Sequence, residues 1–197
     1  MKKYIFLMFF GLTVISFVST AIPKESHPKK MKPALLVIDI QNEYLKYSSD
    51  KEKQIGMMYI NAAIALFRKY DFPVILVYHH DSEWGPEVDS EAFQFPTTVA
   101  IKDSDPKIIK NYPSAFKKTE LQKMLQKKGC NTLFLCGLSA VGCVLATYHS
   151  AMDLDYDVFM LKNALLSHKD EYTDFIEEIF DALGYSALEV MLKNVEK

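Results

Sequence analysis

Residues 34–40 read Ala-Leu-Leu-Val-Ile-Asp-Ile, a run that is apolar apart from one carboxylate. A continuous apolar run of this length, rather than an alternating one, is what a strand buried on both faces requires. Pro73 to His79 (PVILVYH) has the same character, as does Thr132 to Cys136 and, less purely, Val158 to Leu161. Helical patterns separate these runs, over Glu52 to Tyr70, Thr119 to Lys128, Val141 to Leu154 and Asp170 to Leu183. Alternation of strand and helix predicts right-handed crossovers and helices on both faces of the sheet. The expected fold class is therefore α/β, a three-layer α/β/α sandwich whose mostly parallel, Rossmann-like sheet has about six strands. Ile108 to Lys110 and Ser186 to Val190 are expected to supply the two remaining strands.

Working outward, 197 residues with 49% hydrophobic and 24% charged content suit one globular domain. The formal net charge of −2 conceals a skew, since Arg68 is the single arginine among 23 basic residues. The rigid guanidinium fork that grips phosphates is nearly absent, so nucleic acid is not an expected partner. Met1 to Ala21 has Lys2 and Lys3, an apolar run from Tyr4 to Val18, and small residues at Ser19 and Ala21. That layout predicts a secretory signal peptide cleaved after Ala21. An uncleaved anchor is the alternative, but the run falls short of the roughly 20 residues that span a bilayer. Residues 22–33, with three prolines and four lysines, read as a polar tether, and 34–197 as the folded domain. The mature chain is expected in the periplasm or outside the cell, with no membrane association.

Open α/β sheets bind ligands beyond the carboxyl ends of their strands. Asp39 stands at the end of the first strand, His79, His80 and Asp81 at the second, Lys110 at the short third, and Gly137 to Cys143 at the fourth. Asp39 lies in an apolar run, where a carboxylate needs a partner or titrates high; it is either a reacting group or a structural residue at a strand end. Lys110, taken singly, reads as one more solvated lysine among many. Cys143 follows a loop of small residues and enters a helix, where N–H groups and the dipole favour thiolate, although a buried inert cysteine also fits. The irregular stretch from Asp81 to Asp105 is long for a compact domain and is expected to cover something.

These residues carry a resemblance. Leu35-Leu36-Val37-Ile38-Asp39-Ile40-Gln41-Asn42-Glu43-Tyr44 resembles the Asp-x-Gln opening of the isochorismatase-like cysteine hydrolases. Lys110-Asn111-Tyr112-Pro113-Ser114-Ala115-Phe116 is similar to their lysine segment, and Cys136-Gly137-Leu138 through Cys143-Val144-Leu145-Ala146-Thr147 to their nucleophile loop. The three stand in the family's order, and the likeness runs from Pro33 to about Tyr185. It implies a catalytic triad of Asp39, Lys110 and Cys143, acting on a small amide or, failing that, an ester or vinyl ether. It also implies an oxyanion hole from the backbone N–H groups of Ser139 and Cys143, with a cis peptide at Leu138-Ser139, and a homo-oligomeric assembly. Where the family more often has Ala-Thr-Asp, this chain has Ser139-Ala140-Val141. The departure touches side chains, whereas the oxyanion hole uses backbone.

The resemblance also bears on metal. Nicotinamidases of this superfamily carry an Asp-x-His and a further histidine near the pocket, yet no histidine lies between Asp39 and His79. Adjacent histidines on a strand point to opposite faces, so His79 and His80 do not easily share an ion. No metal and no cofactor are expected. Gln41, Tyr44, His80, Trp84, Tyr112 and Phe116 are the candidate substrate contacts, since they flank the motifs or lie in the covering loop. Two other readings remain: a non-catalytic small-molecule-binding protein on the same fold, and a thiol redox protein using Cys136 with Cys143. A Cys130–Cys136 disulfide is excluded if one strand separates them, since six residues span about 20 Å.

Overall fold

The computed structural model describes residues 30–195 apart from 82 and 84. The expected signal peptide, most of the tether and Trp84 lie outside the described residues. In chain order the elements are β1 (Pro33–Ile38), α1 (Asn42–Leu45), α2 (Asp50–Lys69), β2 (Val74–His79), β3 (Lys107–Lys110), α3 (Leu121–Lys128), β4 (Thr132–Leu138), α4 (Leu145–Met152), β5 (Asp157–Leu166), α5 (Asp170–Ile179) and α6 (Tyr185–Lys193). A π-helical turn, Ala140–Val144, leads from β4 into α4. The strands form one sheet in the order β3-β2-β1-β4-β5, and every neighbouring pair is parallel.

Strand alternation divides the core in two. Leu35 and Val37 of β1 face the same side as Leu76, Tyr78 and Phe134, packing against Ile60, Ile64 and Phe67 of α2 and Leu188 and Leu192 of α6. Leu36 and Ile38 face the other side with Ile75, Val77, Leu133 and Leu135, against Leu121 and Leu125 of α3 and Ile176 of α5. Both faces of β1 are thus covered, which is why its sequence is apolar without interruption. No helix among the described residues is long and apolar enough to cross a membrane.

The sheet has five strands rather than six. Ser186 to Val190, expected as a strand, lies inside α6. Its buried residues, Leu188 and Leu192, are four apart while Val190 between them is exposed, a helical period that a window of five residues conceals. Among the described residues a single isolated parallel bridge, Leu161 to Leu183, adds to this pairing.

Two local features place the site. Gly137, at φ 117, brings the end of β4 against β1 so closely that a Cβ there would lie 2.0 Å from the Ile38 carbonyl oxygen. The stretch after β2 packs down as the sequence suggests: Phe93 and Phe95 stack on Tyr78 with centroids 5.2 and 4.3 Å away. Its Ala92 and Gln94 carbonyls accept from the N–H groups of Glu43 and Asn42, satisfying the first turn of α1. The lone arginine is structural, with Arg68 held to Asp105 at 2.6 Å and to the Ala100 carbonyl.

Candidate active site

Asp39 follows the last residue of β1 at φ 52, and its N–H still donates to the Val77 carbonyl at 2.9 Å. Aspartate tolerates this left-handed conformation better than most residues, and adopting it turns the chain out of the sheet. Only 2% of Asp39 is exposed. Lys110 arrives from the other side of β2. Along β3, Lys107 and Ile109 are exposed while Ile108 and Lys110 are buried, so strand alternation drives the Lys110 side chain inward. Cys143 is set by the π-helical turn, where the Ser139 carbonyl accepts from the N–H groups of Gly142 and Val144 at 2.9 and 3.1 Å. The Leu138–Ser139 peptide that begins this turn is cis.

These three side chains meet at one atom. Lys110 Nζ donates to Asp39 Oδ2 at 2.7 Å and to Cys143 Sγ at 3.2 Å. A third contact, absent from the sequence reading, is His79 Nδ1 at 3.1 Å. His79 stands opposite Lys110 in the β2–β3 register. The crevice rule pointed to 79 and 80 together, and only the pairing register decides which of the two faces the lysine. His80 instead lies edge-on to Phe93, with centroids 6.4 Å apart.

Burial governs the electrostatics. Desolvation pushes the Asp39 carboxyl above its usual range, and the ammonium of Lys110 opposes that without overcoming it. The Cys143 thiol is pushed up to about 12, first by burial and then by the charge of Asp39, with Lys110 pulling the other way. The pull of a helix start toward thiolate is thus met by burial and by Asp39. Cys143 lies in the turn before α4, where burial and the Asp39 charge push the thiol up and the Lys110 charge opposes them. His79 is pushed down to about 4, by burial first and by Lys110 second, so its imidazole is neutral.

The candidate contacts separate. Tyr44 lines a cavity of about 290 Å³ with Glu43, Tyr47, His79, Asp81 and Gly85. Burial, followed by the nearby Asp39 charge, pushes its phenol up to about 12. Gln41 is fully buried, and its amide is spent on backbone: Nε2 donates to the His79 carbonyl at 3.0 Å and Oε1 accepts from the His79 N–H at 2.7 Å. These bonds fix the end of β2 beside Lys110. Tyr112 turns toward surface lysines, accepting from Lys118 at 3.0 Å. Phe116 packs on Tyr156, just before β5, with centroids 5.8 Å apart. Neither Tyr112 nor Phe116 lines this cavity.

Asp39, His79 and Cys143 offer three donor atoms within 4.8 Å of one another, a set that suits a thiophilic divalent cation. Lys110 Nζ already lies within hydrogen-bond distance of all three, so an ion there would have to displace the ammonium. The three cysteines are free. Cys136 belongs to the core on the α2 face and Cys143 packs against the core on the α3 face, so the sheet stands between them.

Comparison with known proteins places this arrangement. The chain matches the Isochorismatase domain model over residues 33–187. It is 31% identical over 144 residues to YddQ, an uncharacterized isochorismatase family protein of Bacillus subtilis, covering 68% of this chain and 77% of that one. An isochorismatase from Pseudomonas putida KT2440 has a structure matching at TM-score 0.60 and 29% identity, over 68% of this chain and 70% of that one. The fold is also shared with N-carbamoylsarcosine amidase from Thermoplasma acidophilum, at TM-score 0.67 and 24% identity over 78% of this chain and 95% of that one. A match spanning every strand from β1 to β5, and the three motifs that end β1, β3 and β4, is too extensive for fold likeness alone: the chain belongs to the isochorismatase-domain family and has its hydrolase fold.

Proposed function

We propose that the protein is an exported, metal-independent cysteine hydrolase that cleaves a small amide through a thioester on Cys143. The observation that carries the reading is one buried ammonium held at 2.7 Å from a carboxylate and 3.2 Å from a thiol sulfur, at the carboxyl ends of parallel strands. Asp39 Oδ1 is buried and has no hydrogen-bond partner among the described residues, which leaves an acceptor for the thiol proton. As Asp39 takes that proton, Sγ attacks the carbonyl carbon and the oxyanion is held by the N–H groups of Ser139 and Cys143. Collapse breaks the C–N bond, and the departing amine takes the proton back from Asp39. Water then attacks the thioester while giving its own proton to Asp39, and that proton returns to sulfur as the acid leaves. Lys110 keeps positive charge beside both anions throughout.

The cavity supports a small substrate, and none of its described lining residues is lysine or arginine, which disfavours a dianion. Metal independence rests on the commitment of all three possible donors to Lys110. Export rests on the Met1 to Ala21 layout, and N-terminal sequencing of the mature protein tests it. Homo-oligomerisation is a further proposal, which light scattering of dilute protein tests. The redox reading loses its basis, since Cys136 and Cys143 pack on opposite faces.

The hydrolase reading is tested with an activated ester such as p-nitrophenyl acetate and peptide mass spectrometry. An acetyl group on Cys143, with none on the buried Cys136, is the expected result. Absence of any adduct on Cys143 contradicts the reading.

A further inference from the structure

His79 is an active-site neighbour whose role the triad leaves unassigned. Its Nδ1 lies 3.1 Å from Lys110 Nζ. An ammonium has three hydrogens and no lone pair, so it makes three hydrogen bonds and only as a donor. Asp39 Oδ2 and Cys143 Sγ take two of those hydrogens. The third goes to Nδ1, which must then carry a lone pair, so the proton of the neutral ring sits on Nε2. The low proton affinity that burial and Lys110 impose on this ring agrees with that state.

The ring is well anchored. The side-chain amide of Gln41 brackets the His79 backbone at 3.0 and 2.7 Å, and the Tyr44 ring lies 5.8 Å away. His79 also lines the cavity of about 290 Å³, so it touches both the triad and the space beside it. A lysine side chain is long and rich in rotamers; two acceptors leave its head group free to pivot, whereas three fix it.

We propose that His79 is a positioning residue whose bare Nδ1 takes the third ammonium hydrogen, holding Lys110 between Asp39 and Cys143, and whose Nε2–H is presented to the cavity to donate to an acceptor atom of the ligand. The inference rests on the triad reading above. It makes the site selective for neutral ligands with a carbonyl or similar acceptor placed toward β2. It also assigns Gln41 an indirect part, since the Gln41 amide fixes the backbone from which the ring projects.

The test uses the whole chain and needs no substrate. Selective ¹⁵N-histidine labelling with NMR reads the protonation of each ring nitrogen. Alkylation of Cys143 by iodoacetamide at one fixed pH is compared in the parent, His79→Leu and His79→Asn, because the Asn carbonyl can stand where Nδ1 stood and Leu offers no acceptor. The expected results are an unprotonated Nδ1, alkylation about tenfold slower in His79→Leu as the Lys110 pull on the thiolate weakens, and recovery to within about threefold in His79→Asn. Circular dichroism and unchanged protection of the buried Cys136 report that the variants are folded. A protonated Nδ1, or equal rates in the Leu and Asn variants, overturns the proposal. If Lys110→Met and Asp39→Asn alter Cys143 reactivity while His79→Leu does not, this inference alone fails. If none of the three alters it, the triad reading fails with it.

Discussion

Among the described residues buried carboxylates occur in two places, and they are satisfied in different ways. At the carboxyl ends of the strands, Asp39 faces an ammonium and shares it with a thiol. Between α2, β5 and α5, Glu52 accepts from the Ser167 N–H at 3.0 Å and from the Thr173 hydroxyl, and Glu177 accepts from the Asn163 N–H at 2.6 Å. Burial raises the pKa of all three, so a raised carboxyl does not by itself mark an active site. The difference lies in the partners. Glu52 and Glu177 end on backbone and hydroxyl donors and tie α2 and α5 to β5. Asp39 ends on the Lys110 ammonium beside a nucleophile and keeps one oxygen unpartnered.

That contrast is sharpened first at the chemistry. Cys143→Ala should abolish turnover of an amide or activated ester, and Asp39→Asn should lower it by about 10²–10⁴, the usual worth of a positioned base. Glu52→Gln should leave turnover near the parent's. A comparable loss in Glu52→Gln, seen in steady-state rates, would erase the distinction between the two regions.

Stability gives the next largest effect. Lys110→Met leaves Asp39 buried without a counter-charge and should cost about 3–5 kcal/mol in urea unfolding. Glu52→Ala strips the Ser167 N–H and the Thr173 hydroxyl of their acceptor and should cost about 1–3 kcal/mol. If the order of these two is reversed, the ion pair is not the more costly of the two to break.

The smallest effect is a pH slope. Because Glu52 and Glu177 have raised values in the folded chain, the folded state holds more protons than the unfolded one from the ordinary glutamate range up to the raised values. Stability should fall as pH rises through that window. Asp39 contributes in the same direction, so Glu52→Gln should flatten the slope of Tm against pH without removing it. A steeper slope in Glu52→Gln would mean that the burial penalty at Glu52 has been misread.

Much of this was legible in the sequence because burial on both faces leaves a plain mark. The apolar runs containing Leu36, Leu76 and Leu135 are strands because each residue meets a helix layer on one side or the other. Asp39, Lys110 and Cys143 were among the candidates because a parallel sheet gathers its strand ends, and the resemblance of their segments to the isochorismatase-like hydrolases is what singled them out as a triad. Features that depend on register or local turning were hidden. His79 rather than His80 meets Lys110 because of one pairing offset between β2 and β3. Gln41 lies two residues after Asp39, but the positive φ at Asp39 turns it toward the His79 backbone. The thiol state of Cys143 depends on a balance of burial against two opposite charges that spacing does not reveal.

The central claim is that Asp39, Lys110 and Cys143 behave as one electrostatic unit, and the pH profile of iodoacetamide labelling at each cysteine tests it most directly. In the parent, Cys143 should label along a profile displaced upward from an ordinary thiol, toward about 12. Asp39→Asn removes an opposing negative charge and should move that profile to lower pH, whereas Lys110→Met should move it higher. Cys136, sealed in the core, should remain unlabelled in all three proteins. A Cys143 profile that is ordinary in the parent and indifferent to both substitutions would contradict the account.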